Sequence, residues 1–267
     1  TYSTAEVIRR TGSSSTSIGG FVGTQESAGN IDKCYSTGPV IYDGAANPTD
    51  KGFCGYDWGG TETSCYWDTQ TSGQSSTYGT ATGVTTSAMK SQSTFSGWDF
   101  TGTWWNSNGN TRPFLRTEWS TQIRNSHQLQ LMWLDLEADY VLMNDIDLYD
   151  ITVPAQMWGT SPTIGYGFLP IGTDTARFNG TLNGGRFQIS SLYVYRPSSW
   201  WVGLFGVADT GASVSDVSMF GSHLTGTTFV GGLVGMNYGL VSGSQCSGDV
   251  SGDFYVGGLV GYNDEGT

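Results

Sequence analysis

The chain has 267 residues, 23 of them acidic and 11 basic, for a formal net charge of −12. Only Lys33, Lys51 and Lys90 carry ammonium groups. No basic stripe exists to neutralise phosphates, which excludes nucleic acid as a partner and disfavours anionic membrane surfaces. Gly is abundant at 40, Pro scarce at 7, and apolar residues make up 37%, so the glycines mark tight turns and close backbone packing, not a linker or a disordered chain.

In chain order, the first feature is Ile-Gly-Gly-Phe-Val-Gly at residues 18–23. A worn copy, Gly-Phe-Cys-Gly, sits at 52–55, Val-Gly-Leu-Phe-Gly at 202–206, and Val-Gly-Gly-Leu-Val-Gly appears twice, at 230–235 and 256–261. The step is 32 residues from Phe21 to Phe53, 29 from Leu204 to Leu233 and 26 from Leu233 to Leu259. Such a period means one structural unit stacked on itself. The repeat positions are Gly19, Gly20, Phe21 and Gly23; Gly203, Leu204 and Gly206; Gly231, Gly232, Leu233 and Gly235; and Gly257, Gly258, Leu259 and Gly261. The apolar ones are expected in the core. The glycines are expected to permit positive φ and close backbone approach at a corner.

Between the phrases, residues 29–40 and 239–250 follow one template: a turn glycine, an apolar residue (Ile31, Val241), a small residue or cysteine, then a closing valine (Val40, Val250). Their alternation predicts short β-strands. Strands this short bury a face only by stacking coil on coil, so parallel pairing is expected. Two stretches depart from the pattern. Residues 86–92 are expected to form a short helix capped by Thr86, and residues 126–134 another capped by Ser126, with Leu129, Met132 and Trp133 on one face. The boundary between two domains, 1–116 and 117–267, falls beside them. The chain begins without Met and inside a repeat, so it is expected to be part of something longer. No run of 18 apolar residues is present to span a bilayer.

The Gly-Gly-Leu-Val-Gly phrase followed by a Cys-Tyr-Ser-Thr-Gly strand resembles the GLUG repeat of bacterial and archaeal surface proteins and adhesins. Residues 65–73 (CYWDTQTSG), 83–90, 93–100 (STFSGWDF) and 112–115 (RPFL) resemble the segment that closes such an array. Residues 128–129, 140–148, 170–172, 178–181, Gly184 and 203–206 resemble the segment that opens one. The resemblance implies an all-β fold, a right-handed parallel β-helix (β-solenoid) in two arrays with the two short helices as caps. It implies an extracellular or cell-surface structural role, with no catalytic residues, no cofactor and no membrane insertion. Copies of the chain stacked head to tail, and surface glycans, are the expected partners.

Other chemistry is weighed against plain structural roles. Asp145 and Asp147 share a strand face and form a weak calcium candidate. Asp216, Asp249, Asp253, Asp264 and Glu265 lie in coil turns, as the acids of a polysaccharide-degrading β-helix enzyme would. Such chemistry also needs a cation, and residues 198–267 contain no Lys or Arg. His127 and His223 build no catalytic set. Cys34 and Cys65 occupy equivalent positions in consecutive coils and are a candidate disulfide; Cys54 and Cys246 are expected as core thiols. Asn179 is a candidate glycosylation site. Trp104-Trp105 and Trp200-Trp201 should each place one ring inward and one outward, the outer ring serving a subunit or glycan contact. A glycan- or ice-binding adhesin is therefore the first alternative to a stacking structural protein, and the enzyme the second.

Overall fold

The periods read from the glycine phrases are the strand registers of the computed structural model, which describes residues 1–47, 49–160 and 165–266. Val22 pairs with Cys54, Phe205 with Val234 and Val234 with Val260, all in parallel. The fold is a parallel β-solenoid, and it divides into two compact units: Thr1–Leu115 with Pro154–Gly159, and Arg116–Val153 with Thr160–Thr267. The last residue of the second unit, Thr267, lies outside the described residues.

In the first unit, Tyr2–Ser3, Tyr35–Ser36, Tyr66–Asp68 and Thr82–Val84 form one four-stranded ladder. Val22–Gln25 lies on Cys54–Asp57, and Asn30–Asp32 on Thr61–Thr63. The Tyr35–Ser36 and Tyr66–Asp68 strands are buried throughout, and the corners between strands also turn residues inward. The interior so built contains Cys34, Phe53, Cys54, Cys65, Trp67 and Ala81, edged by Phe21, Val22 and Ile31. Parallel pairing gives way locally to antiparallel contact between Trp104–Trp105 and Phe114–Leu115.

In the second unit, a five-stranded ladder runs through Gln122–Ile123, Asp139–Leu142, Thr181–Asn183, Ser213–Ser215 and Leu240–Ser242. Further ladders carry Trp200–Val202, Thr228–Gly231 and Phe254–Gly257, and Phe205–Ala208, Val234–Asn237 and Val260–Asn263. Leu182, Ile189, Val214, Met219, Leu224, Val230, Leu233 and Val234 line the buried interior.

The helices differ from expectation. Residues 86–92 form no α-helix. Two 3-10 turns, Ala88–Lys90 and Gln92–Thr94, are separated by Ser91 in an extended conformation. Thr85 Oγ1 caps the first turn by accepting from Ala88 N, and the turn goes no further because Gln92 N donates to Asn108 Oδ1 instead of Ala88 O, which accepts from Ser91 N and Thr94 Oγ1. A short helix α1 instead spans Thr69–Ser72 and is capped by Asp68. The helix after the boundary is present as α2 (Ser126–Gln130), continued by a 3-10 turn over Leu131–Leu134. Its cap is Asn125, not Ser126: the extended Asn125 accepts from Gln128 N, while the Ser126 hydroxyl donates to Asp150. Among the described residues no helix is long and apolar enough to cross a membrane.

Candidate interaction surfaces

Except at Gly23 and Gly258, the phrase glycines are required by contact, not by conformation. None of those in the repeat positions has positive φ. A Cβ on Gly231 would lie 2.1 Å from Val234 O, inside its own corner. A Cβ on Gly232 would lie 2.5 Å from Gly258 O, in the following coil. A Cβ on Gly235 would lie 2.8 Å from Gly206 O, in the preceding coil. The first unit repeats the second contact: a Cβ on Gly20 would lie 2.5 Å from Gly52 O. In the second unit the strained conformation falls instead on the aromatic residue before each of the three phrases: φ is +57° at Trp201, +57° at Phe229 and +53° at Tyr255. Phe229 and Tyr255 stack at 5.1 Å with 11° between their planes, which offsets the backbone strain with ring contact.

One end of the first unit is closed. Where a further coil would lie on Gly52, the Trp67 ring lies instead, 2.1 Å from a Cβ built there. Trp67 Nε1 donates to Gln74 O, and Gln74 Nε2 to Val40 O. The chain then crosses the coil end. Gly52 N donates to Ser76 O, Cys54 N to Thr77 Oγ1, and Thr80 N and Ala81 N to Glu62 Oε2. Backbone groups that an added coil would satisfy are thus satisfied internally. The closing phrases meet at a fully buried ion pair: Arg112 Nη2 donates to Asp68 Oδ2 at 2.5 Å, both side chains at 0% exposure. Asp68 Oδ1 also accepts from Gln70 N, Thr71 N and Thr86 Oγ1. Arg112 Nη1 donates to Pro154 O at 2.9 Å and to Gln156 O, and Arg112 N to Met157 O, which holds Pro154–Gly159 in this unit. Phe95 and Trp98 of the 93–100 phrase pack on Tyr35 and Tyr66. Nothing in the spacing of residues points to the Asp68–Arg112 pair beyond the two phrases that contain it.

The last coil of the second unit is open. Leu259 and Val260 are half-buried, whereas their counterparts Leu233 and Val234 are fully buried. Phe254, Tyr255 and Val256 are exposed, as are Leu240 and Trp200. An amide ladder also ends here: Asn237 Nδ2 donates to Asn263 Oδ1 at 2.7 Å.

The other sequence candidates are placed as follows. Asp145 and Asp147 are exposed and cap backbone, accepting from Gln188 N and Tyr149 N respectively. Among the described residues no group of three His, Cys, Asp or Glu is arranged to hold a metal. Asn179 is exposed, and its Oδ1 accepts from Gly211 N. His127 pairs with Glu118 at 2.6 Å, and His223 with Asp249 at 3.0 Å on an exposed strand. Asp216 shares a shallow groove with Arg186, Ser218 and Gln245. One carboxylate and one guanidinium lack the second acid that glycoside hydrolysis uses. Trp104 is buried and Trp105 half-buried; Trp200 is exposed and Trp201 half-buried. Cys34 and Cys65 are free thiols, both buried, so the candidate bridge is not formed in this structure. Cys54 is a buried free thiol and Cys246 a half-buried one. Burial pushes the Cys54 thiol up to about 12, with Glu62 adding to the rise.

Residues 14–42 match the family model described as the GLUG motif. A protein described as a Gly-rich membrane protein, from Evansella cellulosilytica, is 32% identical over 105 residues, which are 38% of this chain and 11% of that protein. Halomucin of Haloquadratum walsbyi is 39% identical over 84 residues, 32% of this chain and 1% of its own length. The chain therefore spans only a small part of these relatives. No solved structure matches it. The chain is a parallel β-solenoid that carries the GLUG motif in its first unit.

Proposed function

We propose that the chain is a structural module of a surface or extracellular protein, that its work is mechanical, not catalytic, and that its open coil receives the first coil of a second copy, head to tail. Two glycines support this reading. Gly258 has nothing within 4 Å of a built Cβ, whereas Gly232, its counterpart, faces the carbonyl of the next coil. Gly23 has only Ser17 O at 3.2 Å, whereas Gly55 and Gly261, its counterparts, face carbonyls of the preceding coil at 2.6 and 2.7 Å. A first coil laid on a last coil gives both glycines the neighbours that their counterparts have. It also covers Phe254, Val256 and Leu259 and continues the unpaired backbone edge. The names of the two relatives, a membrane protein and a halomucin, support the surface location.

Sedimentation velocity over a range of concentrations, with electron microscopy of the same samples, tests the assembly. The expected result is concentration-dependent growth into linear particles. Gly258→Val is expected to leave unfolding unchanged, since its site is open, and to abolish growth. A chain that stays monomeric at high concentration, or that grows equally well with Gly258→Val, sinks the proposal.

A second reading, glycan binding, is favoured by the exposed rings of Trp200, Phe254 and Tyr255. Quenching or shift of tryptophan fluorescence by oligosaccharides, lost in Trp200→Ala, separates it from stacking.

A further inference from the structure

Two of the chain's four thiols share one corner of the first unit. Cys34 and Cys65 each follow a residue at φ +51°, Lys33 and Ser64. The flanking registers set Asp32 beside Thr63 and Tyr35 beside Tyr66. Cys34 therefore lies beside Cys65, one coil apart. Both are buried, at 7% and 2% exposure. Cys34 Sγ donates to Asp32 O at 3.1 Å. Cys65 Sγ lies 3.4 Å from Thr63 O in its own coil and 3.4 Å from Ile31 O in the coil of Cys34, so it leans toward its neighbour. Adjacent strands are about 4.8 Å apart, within the roughly 4.4–6.8 Å that a bridged pair spans between Cα atoms. Neither other cysteine has such a partner: Cys54 stands opposite Val22, and Cys246 opposite Met219.

We propose that Cys34 and Cys65 form a redox-active dithiol pair, which closes to a disulfide and staples two successive coils when the chain meets a disulfide oxidant. The Cys34 thiolate attacks one sulfur of the oxidant RSSR, expelling RS⁻ and leaving a mixed disulfide on Cys34. The Cys65 thiolate then attacks Cys34 Sγ and expels the second RS⁻. The two protons pass to the released thiolates. Two protein thiols and one RSSR thus yield one protein disulfide and two RSH. The contact between the two thiols lowers Cys34 and raises Cys65, and the exchange balances the same whichever thiolate attacks first. The oxidant enters during folding, before the corner closes. The surface reading bears only on whether the bridge persists in the protein's natural setting; the chemistry does not rest on it.

Refolding the full chain from a reduced, denatured state in mixed oxidised and reduced glutathione tests the pair. Remaining thiols are trapped with iodoacetamide, and the protein is digested with trypsin and a Glu-specific protease, which separates Cys54 from Cys65 at Glu62. The expected product is a linked peptide pair carrying Cys34 and Cys65, with Cys54 and Cys246 alkylated. The thermal midpoint is expected to rise by several degrees over the reduced sample. Cys34→Ser should lose that rise and Cys54→Ser should keep it. Alkylated Cys34 and Cys65 in the oxidised, folded chain, or a link to Cys54 or Cys246, overturns the proposal. Either result leaves the stacking test unaffected.

Discussion

Arg112 and Asp68 show how much one pair of side chains contributes at the closed end of the first unit. Both are at 0% exposure, and the guanidinium also holds Pro154 O and Gln156 O. Replacing one member of a buried pair leaves an uncompensated charge. Arg112→Met should therefore destabilise the chain by roughly 3–5 kcal/mol in urea unfolding, and adding Asp68→Asn should recover part of that loss. A loss below 1 kcal/mol (roughly that of a surface pair) would show that the pair is not dry. Asp150 behaves in the opposite way. Burial raises its pKa, and its Oδ1 is buried without a hydrogen-bond partner. The folded state thus holds the Asp150 proton more tightly than the unfolded chain does. The stability this contributes is fully present below the ordinary carboxylate pKa and is lost as pH rises through the raised value. Asp150→Asn should accordingly gain stability over the parent at pH 7 and none at pH 3, measured by thermal unfolding at each pH. These three residues also mark the limit of what spacing reveals. Phe21, Leu233 and the phrase glycines announce their roles by spacing, because contact between coils repeats with the coil. Asp68, Arg112 and Asp150 do not repeat. Their partners are 44 and 24 residues away, and no period relates them.

At the scale of an element, the closing segment depends on one carboxylate. Glu62 Oε2 accepts from Thr80 N and Ala81 N, and Glu62 itself is buried. Glu62→Ala should strand those two amides and destabilise by about 1–3 kcal/mol. Hydrogen exchange should show the change first at Thr80 and Ala81, ahead of the Tyr66–Asp68 strand. Uniform loss of protection across the first unit would instead mean that the segment and the coils unfold as one. Element type was readable where side chains alternate, as in residues 29–40, and not where a distant side chain takes a backbone amide. The 86–92 stretch has helical spacing, but the Gln92 amide a helix needs donates to Asn108 Oδ1. At α2 the element was readable and its cap was not. Asn125 and Ser126 are both good caps, and only the position of Asp150 draws the Ser126 hydroxyl away.

At the scale of the molecule, the net charge of −12 acts against the proposed assembly. Stacking one coil on another joins backbone edges and apolar side chains, and it brings like-charged bodies together. Asp249, Asp253, Asp264 and Glu265 lie in or beside the last coil, where no Lys or Arg follows residue 198. Added salt screens this repulsion within a Debye length that falls from about 30 Å at 0.01 M to about 8 Å at 0.15 M, and it leaves the hydrogen-bonded ladder and apolar burial largely intact. Head-to-tail growth should therefore strengthen as ionic strength rises from 0.01 to about 0.3 M, with light scattering at fixed protein concentration as the measure. Contacts that depend on ion pairs respond the other way, as rim charges do at complementary interfaces. Growth that weakens with salt would assign the junction to opposite charges, such as the exposed Arg10 against the acidic last coil, and would remove the glycine corners from its centre. Growth that strengthens with salt, yet disappears in Gly258→Val, would place the junction on the open coil.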